Sequence, residues 1–203
     1  MHFVTFDFTN FHKFGSTFYD YLALRKRYFV DELNWDIFYD DIVEMDQYDN
    51  PLAHYSVVIQ DGKVVGGARM APTSAKWGDT TYMLNDVARG KLSKIPDQIY
   101  KENFNTNRVW ECTRLVVSSE LKGMREKVNC LNQIVDGVVA ETSAFGAKDL
   151  ICLSPPTLPR MFRSFGYDCK QISEPYICPE DGRKYAVLMM PALKGFVEIK
   201  KAA

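Results

Sequence analysis

Between Ala53 and Pro72 the chain reads AHYSVVIQ, then Asp61-Gly62, then KVVGGARMAP. Asp-Gly is suited to the paired positive φ angles of a two-residue hairpin turn, and the flanking runs are rich in β-branched residues, so two antiparallel strands form here. Whatever surrounds this hairpin must extend or cover a sheet. Downstream, RVWECTRLVVS (108–118) has the composition of a buried strand. REKVNCLNQIVDGVVAETSAFGA repeats Val128, Leu131, Ile134, Val135, Val138 and Val139 at helical spacing. DLICLS reads as the next strand, LPRMFRSFG as a short helix stopped by Gly166, and KYAVLMMPA as a last core strand. Strands followed by alternating helices predict an α/β (α+β) fold: a single mixed, mostly antiparallel sheet with helices on both faces.

Upstream of the hairpin, Phe18, Leu22, Phe29 and Leu33 recur at near-helical spacing after a Thr17-x-x-Asp20 capping pattern, which predicts a helix over 17–32 ended by Asn34. The segment NWDIFYDDIVEMDQYDN (34–50) then concentrates acids with no period of either kind, as a long functional loop does. From Pro72 to Arg108 the chain is polar, with short helices expected near 83–88 and 97–103.

At 203 residues the chain suits one domain over 1–203, since about 100–200 residues per domain is usual. A net charge of -1 offers no bulk attraction to nucleic acid or an anionic membrane. No apolar run approaches the ~18 residues of a membrane span, and the start lacks a basic segment leading into an apolar one. The five cysteines are spread without a C-x-x-C pair, and His2, His12 and His54 show no ligand spacing, so neither a disulfide framework nor a metal site is indicated. A reducing cytoplasm is the expected location.

Five motifs stand in a fixed order: RKRYF (25–29), Trp35, EMDQYD (44–49), GGARMAPT (66–73) and WECTRLVV (110–117), with YML at 82–84. In this order they resemble the acyl-homoserine-lactone synthases, the autoinducer synthases of bacterial quorum sensing. The resemblance is specific over about 20–120 and looser beyond. It implies the fold of the GCN5-related N-acetyltransferases, and an enzyme that joins the amine of S-adenosylmethionine to an acyl thioester, then forms a lactone and expels methylthioadenosine. S-adenosylmethionine is then a substrate, and no cofactor is expected.

Residue by residue, the resemblance makes Glu111 the candidate base, acting through water, with Arg69 and Asp46 beside it as catalytic candidates. Glu111 sits on a predicted core strand, where an unpaired carboxylate is costly; a structural bridge to arginine is the alternative role. Carboxylates and aromatic faces suit a cationic substrate, so Asp46 and Asp49 would hold its amino-acid end while Phe29 and Trp35 enclose the sulfonium or adenine. The alternatives are a solvated acidic loop and a core Phe29; Asp36, Asp40 and Asp41 are expected to face solvent. Arg25, Arg69 and Arg114 would form a network with Asp46, Asp49 and Glu111.

The acyl donor is expected to be acyl carrier protein or acyl-CoA. The turn ELKGMREKV has one glycine, Gly123, and so lacks the glycine-rich pyrophosphate cradle of ordinary acetyltransferases. Lys148, Arg160 and Arg163 are candidates for docking an acidic carrier protein, as against ordinary solvated surface. Ser154 matches a position where some family members carry a hydroxyl that favours a 3-oxo chain; its alternative is a turn residue before Pro155-Pro156. Cys112 and Cys152 read as buried apolar residues. The rival functions are a conventional CoA-dependent N-acyltransferase and an inactive ligand- or partner-binding module.

Overall fold

Asp61 and Gly62 both adopt positive φ, 51° and 76°, and the strands on either side, β2 (His54–Gln60) and β3 (Lys63–Pro72), pair antiparallel from Gln60 and Lys63 outward. The structure is a computed structural model that describes residues 1–195. Around the hairpin one sheet assembles. β1 (His2–Asp7) adds to β2, and β4 (Val109–Val117) to β3, both antiparallel. β5 (Asp149–Ser154) runs parallel to β4, and β8 (Lys184–Pro191) antiparallel to β5. Two-residue strands β6 (Lys170–Gln171) and β7 (Tyr176–Ile177) pair with β8. The sheet is thus mixed and mostly antiparallel, as expected, in the order β1-β2-β3-β4-β5-β8-β6.

Gly66 and Gly67 explain how helices reach both faces. Successive strand residues point to opposite sides. A Cβ on Gly66 would lie 2.5 Å from the Cys130 sulfur of helix α3 (Met124–Ala144), and one on Gly67 would lie 2.7 Å from the Tyr21 ring of α1 (Thr17–Arg25). The paired glycines let both helices settle against β3. On the α3 side, Ile134, Val135 and Val138 pack with Ala68, Met70, Trp110 and Phe162 of α4 (Leu158–Ser164). On the α1 side, Tyr21, Leu24 and Phe29 pack with Phe6, Tyr55 and Val57.

Three expectations are corrected. The first helix is not uniform: α1 ends at Arg25 and Lys26–Glu32 continues as a wider π-helical segment, closed by Asn34 at φ 55°. Its N-cap position is Ser16 and not Thr17, and the Ser16 side chain caps no backbone N–H but donates to Asp20 at 2.7 Å. The helix expected at 83–88 is present as α2 (Met83–Ala88), but 97–103 is irregular. There Ile99, Tyr100 and Phe104 are drawn into a cluster with Tyr82 and Val187, so tertiary packing decides the conformation.

Gly67→Ala should destabilise the protein by about 1–3 kcal/mol, because the added methyl meets both the Tyr21 ring and the Ser56 carbonyl. Chemical denaturation of the variant against the parent protein measures this.

Candidate active site

β4 and β5 pair only from Val109 to Glu111 and from Asp149 to Ile151; beyond that they part. The gap leads into a cavity of about 530 Å³ whose walls include Phe29, Trp35, Asp46, Arg114 and Ser154. Motif residues from both helical and strand segments therefore line one space.

Beneath its floor lies a closed ring of charge. Arg25 donates Nε to Glu44 at 2.6 Å and both terminal nitrogens to Asp49 at 2.7 and 2.8 Å. Arg69 clamps Asp46 at 2.5 and 3.2 Å and reaches Asp49 at 2.8 Å. Arg114 completes the circuit to Glu44 at 3.0 Å and Asp46 at 2.8 Å. Each arginine meets two carboxylates and each carboxylate two arginines. Burial works to raise the Asp46 and Asp49 carboxyls; the arginines, Arg69 foremost, outweigh it and hold both below the usual range.

A bulge makes the ring possible. Gly67 pairs with Val116 while Arg69 pairs with Thr113, so β4 carries one extra residue. Arg114 takes up the strain at φ 54°, and the Tyr21 hydroxyl donates to its carbonyl at 2.9 Å. With alternation broken, Thr113 and Arg114 both turn toward the acids: Thr113 Oγ1 accepts from Arg69 at 3.0 Å, and Arg114 binds Glu44.

This geometry corrects the expected network. Its third acid is Glu44, and Glu111 stands outside it, because the Glu111 carboxylate accepts the backbone N–H groups of Met83 (2.6 Å) and Leu84 (2.8 Å) at the start of α2. Glu111 is therefore bridged to backbone and not to arginine. Burial pushes its carboxyl up to about 7, against the lowering effects of those N–H groups and Arg69. Beside it, a void of about 20 Å³ is bounded by Arg69, Thr113 and Tyr48, and the last two also line the main cavity. Asp49 is likewise corrected: its side chain has no exposed surface, and with Arg25 it forms the buried support of the site. Its oxygens are used by Arg25, Arg69, the Tyr55 hydroxyl and the Asp46 N–H.

The aromatic wall is Phe29 stacked on Trp35, ring centroids 4.9 Å apart, with the Arg114 guanidinium 5.4 Å from the Phe29 centroid. Phe29 belongs to the core as well as the cavity, whereas Trp35 is half-buried. Sequence reasoning missed what holds Trp35: its Nε1–H donates to Asp181 at 2.9 Å. It also missed Lys94, which bridges Asp36 at 2.8 Å and Glu180 at 2.9 Å across the cavity rim. Nothing in local spacing signals contacts between segments so far apart in the chain. Asp40 and Asp41 face solvent as expected; Asp36 is exposed yet tied to Lys94.

Ser154 is buried at the end of β5, where the main cavity meets an apolar one of about 30 Å³ shared through Cys112 and Leu115. Cys112 and Cys152 are partly buried against the core, and not fully buried as was expected, and Cys112 also lines the main cavity; desolvation pushes the Cys152 thiol up to about 11. The basic trio does not gather at one strand end. Lys148 precedes β5 by one residue, while Arg160 and Arg163 lie on α4 beyond its other end, and Arg163 donates to the Cys169 carbonyl at 2.7 Å. At the α3 N-terminus, Glu126 accepts the Lys122 N–H at 2.8 Å. Among the described residues no cluster of His, Cys, Asp or Glu could hold a metal, and no helix is long and apolar enough to cross a membrane.

The profile of the family described as "Autoinducer synthase" matches residues 11–194. An acyl-homoserine-lactone synthase of Aeromonas hydrophila is 28% identical over 153 residues, covering 73% of this chain and 67% of that protein. Among solved structures, the CoA-dependent acyl-homoserine lactone synthase BjaI with MTA superposes at a TM-score of 0.75 and 18% identity, over 95% of this chain and 84% of that one. An acyl-CoA N-acyltransferase from Pseudomonas aeruginosa shares the fold more distantly, at a TM-score of 0.57 and 13% identity, over 93% and 99% of the two chains. The fold implied by the motifs is thus the one observed, and since the profile match takes in all five motifs and most of the chain, this protein belongs to the autoinducer synthase family.

Proposed function

We infer that the protein is an acyl-homoserine-lactone synthase: it acylates the amine of S-adenosylmethionine from an acyl thioester and then lactonises the product. The observation that carries this is the convergence of Phe29, Trp35, Asp46 and Arg114, from separate motifs, on the cavity where β4 and β5 part. In the first step the amine nitrogen bonds to the thioester carbonyl carbon, the carbon–sulfur bond breaks, and the carrier leaves as a thiol. Glu111 takes the amine's proton through one water, for which the adjoining void of about 20 Å³ has room. A carboxyl titrating at about 7 is matched to that task at neutral pH. Backbone N–H groups freed where β4 and β5 separate polarise the carbonyl. In the second step the methionine carboxylate attacks the carbon bonded to the sulfonium, and the carbon–sulfur electron pair leaves with methylthioadenosine.

Trp35 and Phe29 form the wall against the sulfonium nucleoside, and Asp46 is the ring acid that borders the cavity. Arg25, Arg69, Arg114 and Asp49 position the others. Ser154 lies where an acyl chain enters the apolar space. The donor is acyl carrier protein or acyl-CoA; the exposed basic face of α4 with Arg160 and Arg163 suits an acidic carrier, and Glu126 at the α3 N-terminus disfavours a CoA diphosphate there. Both substrates are cytoplasmic metabolites, so we place the enzyme in the cytoplasm, working without a cofactor.

Purified protein given S-adenosylmethionine and panels of acyl carrier protein and CoA thioesters should release an acyl-homoserine lactone and methylthioadenosine together, read by mass spectrometry. An acylated amine with no methylthioadenosine would indicate a conventional N-acyltransferase, and binding without any product an inactive module. Because Glu111 must be ionised to accept the proton, kcat/KM should rise with pH and level off above about 7. Glu111→Gln should remove that limb and slow acyl transfer by about 10²-fold or more, with a smaller loss of S-adenosylmethionine affinity. Trp35→Ala should chiefly weaken nucleoside binding, seen as a raised KM with a smaller change in kcat.

A further inference from the structure

The turn between β7 and β8 folds back over the N-terminal loop and brings Asp181 behind the Trp35 indole. Asp181 Oδ2 accepts two hydrogen bonds, from Trp35 Nε1–H at 2.9 Å and from the Tyr185 hydroxyl at 2.7 Å. Oδ1 accepts the Arg183 backbone N–H at 2.9 Å. The Tyr185 ring also meets the indole edgewise, with centroids 6.0 Å apart. All three donors are neutral groups. The other acids around the cavity are differently placed: Glu44, Asp46 and Asp49 are matched by arginines, and Glu180 and Asp36 by Lys94. Asp181 therefore delivers negative charge to the indole through a single hydrogen bond, offset in part by the Arg183 side chain, which lines the cavity.

An N–H donor bonded to an anion pushes electron density into its ring, and a more negative ring face attracts a cation more strongly. On the reading of this cavity as an S-adenosylmethionine site, we propose that Asp181 is a positioning residue that fixes the Trp35 indole and, through its charge, makes that ring favour a sulfonium over a neutral thioether. The same residue then helps product release: once methylthioadenosine forms, the sulfonium becomes a thioether and the attraction to the ring falls.

The test measures the affinities of S-adenosylmethionine and S-adenosylhomocysteine by calorimetry for the full chain. Asp181→Asn keeps an acceptor for the indole N–H and removes the charge, whereas Asp181→Ala removes both. We expect Asp181→Asn to lose about three- to tenfold in affinity for the sulfonium while its thioether affinity stays within about twofold. Asp181→Ala should weaken both ligands. In a Trp35→Phe background, which lacks the N–H link, adding Asp181→Asn should leave the sulfonium-to-thioether ratio unchanged. Equal losses for both ligands in Asp181→Asn, or no loss, would overturn the proposal; so would a further fall in the ratio in the Trp35→Phe background. Failure of the parent protein to make any lactone would instead overturn the functional reading, and the affinity ratios remain measurable in that event.

Discussion

The alternating ring of Arg25, Glu44, Arg114, Asp46, Arg69 and Asp49 is the interaction on which the site depends. It joins four parts of the chain: the first helix, the acidic loop, β3 and β4. Charges removed from water must find partners of matching geometry, and guanidinium forks facing carboxylates provide them. Three positive and three negative groups close the circuit without residual charge. The loop leaves Phe38, Tyr39, Ile42 and Met45 exposed and is anchored through Trp35, Ile37 and Tyr48, so these ion pairs contribute much of what orders it over the sheet. Breaking one link leaves its former partner charged and buried, and for that reason the effect reaches beyond the residue removed.

The ring also separates two tasks that the sequence alone merges. Acids that suit a cationic substrate are the same residues that suit arginines, and composition cannot say which claim prevails. The structure resolves it by depth. Asp49 and Glu44 lie at the bottom with their oxygens taken up by arginines, whereas Asp46 reaches the cavity edge beside the Phe29 and Trp35 wall. Glu111, bonded to backbone N–H groups and not to a guanidinium, has its carboxyl pushed up to about 7 by burial.

Much of the architecture was legible. The Asp61-Gly62 turn, β4, α3, β5, α4 and β8 all lie where the apolar periodicity puts them, since each buries a regular face. β1 was passed over because HFVTFD is short and is stabilised only by its neighbour β2 and by the aromatic cluster around Phe6. The π-helical segment and the β4 bulge carry no composition signal; both are backbone adjustments made to satisfy side chains elsewhere. Trp35 could be singled out as a candidate that would reach the cavity, but Asp181 could not, because a hydrogen bond across 146 positions leaves no trace in local pattern.

The bulge at Arg114 has a bearing on how such a strand can change over time. Ahead of it, even and odd positions of β4 serve opposite sides of the sheet in strict turn; after it the assignment is exchanged. Losing the Arg114 codon would return the strand to regular alternation with Leu115 and Val117 still on the α3 side and Val116 still on the α1 side, so both apolar layers would keep their residues while the ring lost its third arginine. The length of β4 is therefore fixed by the charged residues it must present and not by the core on either side of it.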